Sequence, residues 1–185
     1  MVLKLGSHHL QTIVAHAERT YPEECCGLLL GHLGHPRVAS KGVLGKGVTS
    51  KTVVDVQIVE NTWAGDDRDL AQTSDQTFEQ TLSKTRRYQI SPDAMLSAMR
   101  SARDRSLCIL GIYHSHPDNP AVPSECDRNL AWPQYSYAIV SVQAGTAIDW
   151  QSWTLDDDHQ FQPEEIFVIP EMPPLRRERM STGDR

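Results

Sequence analysis

The stretch from Leu107 to Asp127 constrains this chain more than any other part of its sequence. Residues 107–113 form a continuous apolar run that predicts a buried strand, and the run leads directly into His114-Ser115-His116-Pro117. Residues two apart on a strand project to the same face, so the two histidines can bind a single ion. If the two histidines bind a metal ion, the fold must place the end of this strand beside further metal-binding side chains.

The loop that follows the histidines brings a carboxylate. Three prolines make residues 117–123 stiff and non-helical, and Ser124 is placed to cap a helix that begins at Glu125. Asp127 would then lie in the first helical turn. Two imidazoles and one carboxylate leave a tetrahedral zinc with an open fourth position, as in catalytic sites. Zinc lowers the pKa of a water molecule from ~15.7 to roughly 7 and can polarise a carbonyl oxygen.

A proton-transferring group is available upstream. Glu23 and Glu24 precede Gly27-Leu28-Leu29-Leu30-Gly31, a short apolar run that predicts a buried strand. Neighbouring residues on a strand face opposite sides, so only one of the two carboxylates can point at the ion. Either could serve as a general base.

Together these motifs resemble a known family. A Glu three positions before Gly-Leu-Leu-Leu-Gly, followed far downstream by His-Ser-His-Pro, six residues, Ser, two residues and Asp, closely resembles the JAMM or MPN-plus metallopeptidases. The resemblance covers nearly the whole chain up to about Ile169. It includes Tyr88-Gln89-Ile90-Ser91-Pro92 before a predicted helix.

The resemblance implies a role for each residue of the pattern. His114, His116 and Asp127 correspond to the ligands of one zinc ion per chain. Glu24 corresponds to the general base, and Ser124 to the hydroxyl group that stabilises the tetrahedral intermediate, whereas Glu23 falls one position off the pattern. The implied fold is α/β, a mixed sheet flanked by helices, with layering like that of the cytidine deaminases.

The compact spacing after the motif narrows the implied substrate. Relatives that cleave ubiquitin chains carry extended insertions near the site, whereas here the strand predicted at Tyr137 begins only ten positions after Asp127. The layout resembles prokaryotic members that cleave an amide or isopeptide bond after the C-terminal glycine of a ubiquitin-like or sulfur-carrier protein, including those that release cysteine. The expected partner is such a protein. The oligomeric state stays open, a homo-oligomer included.

Three other interpretations compete with this one. Ser124 and Asp127 also fit the Ser-x-x-Asp pattern of a helix capping box, which needs no metal. The chain could be a non-catalytic MPN scaffold for protein–protein interaction, although members of that group lack one or more of the four residues present here. A zinc deaminase would need a Pro-Cys-x-x-Cys sequence, which this chain lacks.

Composition indicates one enzyme domain in the cytoplasm. A chain of 185 residues with 39% hydrophobic content can bury a core unaided. A net charge of −6 argues against nucleic acid as the main partner, and no apolar run approaches the ~20 residues that cross a bilayer. The N-terminus lacks the apolar region of a secretory signal, and the four cysteines lack disulfide-framework spacing.

Hydrophobic periodicity predicts helices interleaved with strands in a domain over residues 1–169. We expect residues 64–84 to form a mobile insertion and residues 170–185 a disordered tail. The predicted helices run from about His9 to Thr20 and onward from Ser91-Pro92. The predicted strands are one in which Val54, Val56 and Ile58 face inward, and four over Leu107–Tyr113, Tyr137–Val142, Ile148–Leu155 and Glu165–Ile169, with a turn at Gly145.

Overall fold

The computed structural model describes residues 1–34, 50–64 and 83–170. The predicted insertion lies outside the described residues except for its first residue and last two residues, and so does the predicted tail after residue 170. The elements are β1 (Val2–Gly6), α1 (Ser7–Thr20), β2 (Cys26–Gly34), β3 (Ser50–Val59), α2 (Pro92–Asp104), β4 (Cys108–Pro117), α3 (Glu125–Leu130), β5 (Ser136–Gln143), β6 (Thr146–Leu155) and β7 (Phe161–Ile169).

The strands form a mixed sheet that closes into a barrel in the order β1-β3-β2-β4-β5-β6-β7. The pairs β1–β3, β1–β7 and β4–β5 are parallel, and the others are antiparallel. The α/β prediction is confirmed, but closure was not predicted because β1 was not recognised as a strand. Leu3 and Leu5 of β1 are buried, and the strand bridges β7 and β3.

The sheet carries a hydrophobic core on each face. Leu29 of β2 packs with Ile13 and Ala17 of α1 on the inward face, whereas Leu28 and Leu30 pack with α2 on the outward face. A strand that is buried on both sides needs apolar residues at every position, which explains the uninterrupted leucine run. Each such leucine contributes roughly 1.5–3 kcal/mol through burial.

The predicted facing of β3 is only partly right. Val54 and Ile58 are 43% and 46% exposed, whereas Val56 packs against the inward core, and the buried valines are Val53 and Val59. The pairing with β2 shifts by one residue between Leu30 and Gly31, so Val54 is an extra residue that forms a β-bulge. One inserted residue reverses the facing of the residues beyond it, and alternation alone does not reveal where the insertion lies.

Both long helices form where the sequence predicts them. Helix α1 begins two residues earlier than predicted and ends at Thr20. The Ser91 side chain caps α2 by accepting a hydrogen bond from the Ala94 N–H (3.1 Å). Within the described ranges, no helix is long and apolar enough to span a membrane.

Strand β4 extends further than predicted, through His114 and His116 to Pro117. Tyr113 faces the inward core with α1, so both histidines face the opposite side of the sheet. On the neighbouring strand Cys26 pairs with His114. The first residues of β2 and the last residues of β4 therefore meet at one end of the sheet.

Candidate metal centre

Strand β4 and the first turn of α3 bring His114, His116 and Asp127 together. The two Nε2 atoms lie 3.0 Å apart. Nε2 of His114 is 3.3 Å from Oδ1 of Asp127, and Nε2 of His116 is 3.7 Å from Oδ2. All three side chains are largely shielded from solvent. Among the described residues, this is the one cluster of His, Cys, Asp or Glu side chains that could hold a metal ion.

The geometry of this cluster fits a tetrahedral metal ion. Two ligand atoms at ~2.1 Å from an ion, at tetrahedral angles, lie about 3.4 Å apart. The three observed separations fall on both sides of that value. Nδ1 of His116 lies 2.8 Å from the Pro120 carbonyl oxygen and can donate to it, which leaves the lone pair on Nε2 for a metal.

The electrostatics suit a divalent cation. Burial lowers the pKa of His114 to about 4, so its imidazole is neutral at pH 7 and can act as a ligand. Burial alone would raise the pKa of Asp127, but His114, His116 and Ser124 lower it more and hold it well below its usual range. Burial also lowers the pKa of His116, yet the nearby carboxylate of Asp127 and the charge of Glu24 raise it overall.

Ser124 and Asp127 form the helix capping box that the sequence offered as an alternative to the metal site as the reason for these two residues. The Asp127 N–H donates to Oγ of Ser124 (3.2 Å), and the Ser124 N–H donates to Oδ2 of Asp127 (2.6 Å). The Ser124 hydroxyl donates to that same oxygen (2.6 Å). The capping box and the metal cluster therefore coexist, because the cap turns the carboxylate of Asp127 toward the histidines.

Of the two candidate bases, Glu24 lies at the site. Glu23 is exposed, whereas Glu24 is 6% exposed and lines the same cavity as His116 and Asp127. The N–H of Cys25 donates to Oγ of Ser115 (2.9 Å), which extends the pairing of β2 with β4 and brings Glu24 alongside His116. Burial raises the pKa of Glu24 to about 8.

A cavity of about 770 Å³ opens beside the cluster. One side carries the polar groups Glu24, Ser124 and Asp127. The rest of the lining is mainly aromatic and aliphatic, with two arginines, and includes Trp63, Arg86, Arg87, Tyr88, Gln89, Ile90, Met95, Ile112, Val122, Leu130, Trp132, Tyr135 and Tyr137. A cavity with a polar end and apolar walls suits an extended peptide segment.

Tyr88 supports the cluster from the side, a role that sequence reasoning missed. Its ring stacks on His114, with centroids 4.5 Å apart and planes inclined by 26°. Burial raises the pKa of its phenol well above the usual value, so it stays neutral. Tyr88 belongs to a segment that the family resemblance included, but nothing in the sequence indicated its contact with His114.

Asn61 is a second residue that the sequence did not reveal. Its Nδ2 group donates to the carbonyl oxygens of Glu24 and Arg87, both at 2.9 Å. Its Oδ1 accepts from the N–H groups of Trp63 (3.0 Å) and Gln89 (3.1 Å). Asn61 is buried and uses its full hydrogen-bonding capacity to fix the main chain at Glu24 to the cavity wall.

The cysteines lie outside the metal cluster. Cys25 and Cys26 are buried in the free thiol form, which confirms that they pack in the core. Cys126 is half-buried and lines the cavity next to Asp127, but it does not belong to the cluster. That Cys126 is no fourth ligand stays a prediction.

Comparisons with known proteins identify a matching family and a similar solved structure. Residues 6–156 match the family described as prokaryotic homologs of the JAB domain. The solution structure of a protein from Desulfitobacterium hafniense superposes with a TM-score of 0.64 and 26% identity, over 92% of this chain and 94% of that one.

Two curated relatives have names that describe an activity. The CysO-cysteine peptidase of Mycobacterium tuberculosis is 25% identical over 157 residues, 84% of each protein. The desampylase of Haloferax volcanii is 37% identical over 65 residues, which make up 34% of this chain and 47% of that relative, so the match spans less than half of its length. From the family match over most of its length, the chain belongs to the prokaryotic homologs of the JAB domain.

Proposed function

We propose that this protein, through a domain over residues 1–169, is a zinc-dependent hydrolase. It cleaves the amide or isopeptide bond after the C-terminal glycine of a ubiquitin-like or sulfur-carrier protein, with release of cysteine as one such reaction. The observation that carries the proposal is the meeting of a buried carboxyl group, Glu24, with the His114, His116 and Asp127 cluster at the polar end of one cavity. The names of the peptidase and desampylase relatives support this substrate class.

His114, His116 and Asp127 would hold the zinc ion. When bound, zinc activates a water molecule and polarises the carbonyl oxygen of the scissile bond. Burial raises the pKa of Glu24 to about 8, and a cation held by the three ligands would favour the charged carboxylate, which could then accept a proton. Glu24 would take a proton from the attacking water.

The proton then leaves with the product. As the C–N bond breaks, Glu24 delivers its proton to the leaving nitrogen, so one water and one amide become a carboxylic acid and an amine. Ser124 is the proposed donor to the developing oxyanion. Its hydroxyl hydrogen is held by Asp127 in this structure, so the hydroxyl must rotate before it can donate to substrate. Loss of such a donor costs about 10²-fold or more in rate in other hydrolases.

The direct test uses a carrier protein that ends in diglycine plus one further residue. We expect the zinc-loaded protein to remove that residue, seen as a mass change, and to stop when a chelator is present. Glu24→Gln should bind zinc yet lose ~10²-fold or more of the rate, because no other group takes the water's proton. Glu23→Gln is the matched control, since that side chain is exposed, and it should keep parental activity. Near-parental activity of zinc-loaded Glu24→Gln would refute the assigned base.

The scaffold alternative predicts a different result. A non-catalytic MPN protein would bind no zinc after reconstitution and would leave every extended carrier intact. About one zinc per chain, together with chelator-sensitive cleavage, would exclude the scaffold.

A further inference from the structure

Two cations line the cavity beside the proposed base. Arg86 and Arg87 belong to the wall that also includes Glu24 and Asp127. Both arginines lie close enough to Glu24 to act on its carboxyl group electrostatically, and Arg87 also acts on the Cys126 thiol in the first turn of α3. Arg87 therefore lines the same cavity as both Glu24 and the first turn of α3.

The main chain that carries these arginines is fixed relative to Glu24. Asn61 donates to the carbonyl oxygens of both Arg87 and Glu24. The N–H of Glu24 in turn donates to the carbonyl oxygen of Lys84 (2.7 Å), and the N–H of Arg86 donates to that of Ser83 (3.0 Å). The main chain that carries the arginines is thus fixed beside Glu24, with Arg87 half-buried and Arg86 exposed at the cavity wall.

Within the part of the chain that the structure describes, these guanidinium groups leave most of their hydrogen-bonding capacity unused. Nη1 of Arg87 donates to the carbonyl oxygen of Arg86 (2.9 Å). With the carboxylates of the described residues, neither arginine forms an ion pair. A guanidinium offers five donors in a planar fork that matches a carboxylate. The Arg86–Arg87 pair therefore presents an anion-binding surface inside the cavity.

The chemistry of the leaving group indicates which anion would bind there. Glu24 delivers a proton to the leaving nitrogen, and the α-carboxylate of a terminal residue is only two bonds from that nitrogen. A terminal carboxylate would therefore lie beside Glu24, where it would be repelled unless a cation balanced it. The ε-amine of an isopeptide-linked lysine brings no carboxylate to this position.

On the basis of the proposed function, we propose that Arg87, assisted by Arg86, binds the free α-carboxylate of a single residue on the leaving side of the scissile bond. The protein then acts preferentially as a C-terminal exopeptidase. Arg87 sets specificity in this account, while Glu24 performs the proton transfer.

The test compares two carrier proteins that differ at one group. Each ends in diglycine plus one residue, with a free carboxylate in one and a carboxamide in the other. We expect the parent to cleave the acid with kcat/KM at least about tenfold higher than the amide, the range of a charge-assisted hydrogen bond. Arg87→Gln should bring that ratio close to one. Arg100→Gln, an exposed position on α2, should leave the ratio unchanged.

A binding measurement keeps this inference separate from the proposed activity. In the Glu24→Gln background, calorimetry should show the acid carrier binding at least about tenfold tighter than the amide, and Arg87→Gln should abolish that difference. Equal cleavage of acid and amide by the parent would overturn the inference but leave the proposed function intact. Cleavage of neither carrier would refute the proposed function for these substrates, and equal binding of the two would then overturn the inference independently. If Arg87→Gln slowed cleavage of the acid and the amide carriers equally, Arg87 would act only on the carboxyl group of Glu24. The inference would then also fail.

Discussion

At the scale of single residues, Glu24 shows how one side chain couples stability to chemistry. Its carboxyl group is buried, and burial makes the charged form costly. Burial also places the carboxyl group beside the candidate metal site, where a cation would stabilise its charged form, and shields it from water. In the proposed mechanism, a residue that weakens the metal-free protein is the one that acts as a base in the metal-loaded protein.

This coupling predicts a specific pH dependence for the metal-free protein. The pKa of Glu24 is about 8 in the folded state, against ~4.3 for an unperturbed Glu in the unfolded chain. Between these values the folded state holds a proton that the unfolded state has lost, so stability falls as pH rises through this window. Glu24→Gln removes this proton difference. We expect the variant to match the parent closely near pH 4.5 and to exceed its free energy of unfolding by on the order of 4 kcal/mol at pH 8.

Urea unfolding of chelator-treated protein across this pH range measures the effect. Glu23→Gln should follow the parent at every pH because that side chain is exposed. If the parent and Glu24→Gln gave parallel curves, the carboxyl group would not be held protonated by burial.

At the scale of elements, the short helix α3 has two roles. Ser124 caps its first turn and holds the carboxylate of Asp127 by two hydrogen bonds. Sequence reasoning treated cap and ligand as competing explanations, although a capping box is also a way to orient a ligand. Such outer partners of metal ligands typically contribute 10- to 100-fold to metal affinity.

Replacing the cap should therefore affect stability and metal binding together. We expect Ser124→Ala to cost about 1 kcal/mol of stability and to weaken zinc affinity by roughly tenfold or more. Ser91→Ala is a matched control, since Ser91 caps α2 in the same way without contacting Asp127. It should lose similar stability and keep parental zinc affinity in a competition titration. If both variants bound zinc like the parent, the cap would not orient the ligand.

Whether a segment forms a helix or a strand was easier to predict than which side of a strand is buried and which strands pair. The apolar stripe of α1 and the Ser91-Pro92 start of α2 are local signals, and both helices form there. The bulge at Val54 depends on how β3 meets β2, which no local pattern reports. Likewise, the candidate site was predictable where a motif carries it, as for His114, whereas Asn61 acts through main-chain groups that are distant in sequence.

At the scale of the whole molecule, closure of the barrel creates a buried polar group that no single element predicts. Lys51 of β3 is 1% exposed, and its ammonium group donates to Oγ of Ser136 on β5 (2.8 Å). Burial lowers the pKa of Lys51, and the charge of Glu164 on β7 opposes that effect. Glu164 is also buried and accepts from Oγ of Ser152 (2.8 Å). Strands distant in sequence are thus linked across the barrel interior.

We expect Lys51 and Glu164 to be energetically coupled. The two charges form no ion pair within 4 Å, but both side chains are buried and the charge of Glu164 acts on Lys51, so removing either one leaves the other less well compensated. Lys51→Met and Glu164→Gln should each destabilise strongly, and the double variant should cost less than the sum of the two by about 1–3 kcal/mol. Urea unfolding of the four proteins gives this coupling energy. Additive costs would show that the two charges do not support each other.

The central claim is that His114, His116 and Asp127 bind one metal ion that keeps a position open for water or substrate. Anomalous diffraction at the zinc edge from zinc-loaded crystals tests it most directly. The account predicts one peak per chain at ~2.0–2.2 Å from Nε2 of both histidines and from a carboxylate oxygen of Asp127, with no fourth protein ligand. The absence of a peak between these three side chains, or an ion coordinated by four protein atoms, would contradict it.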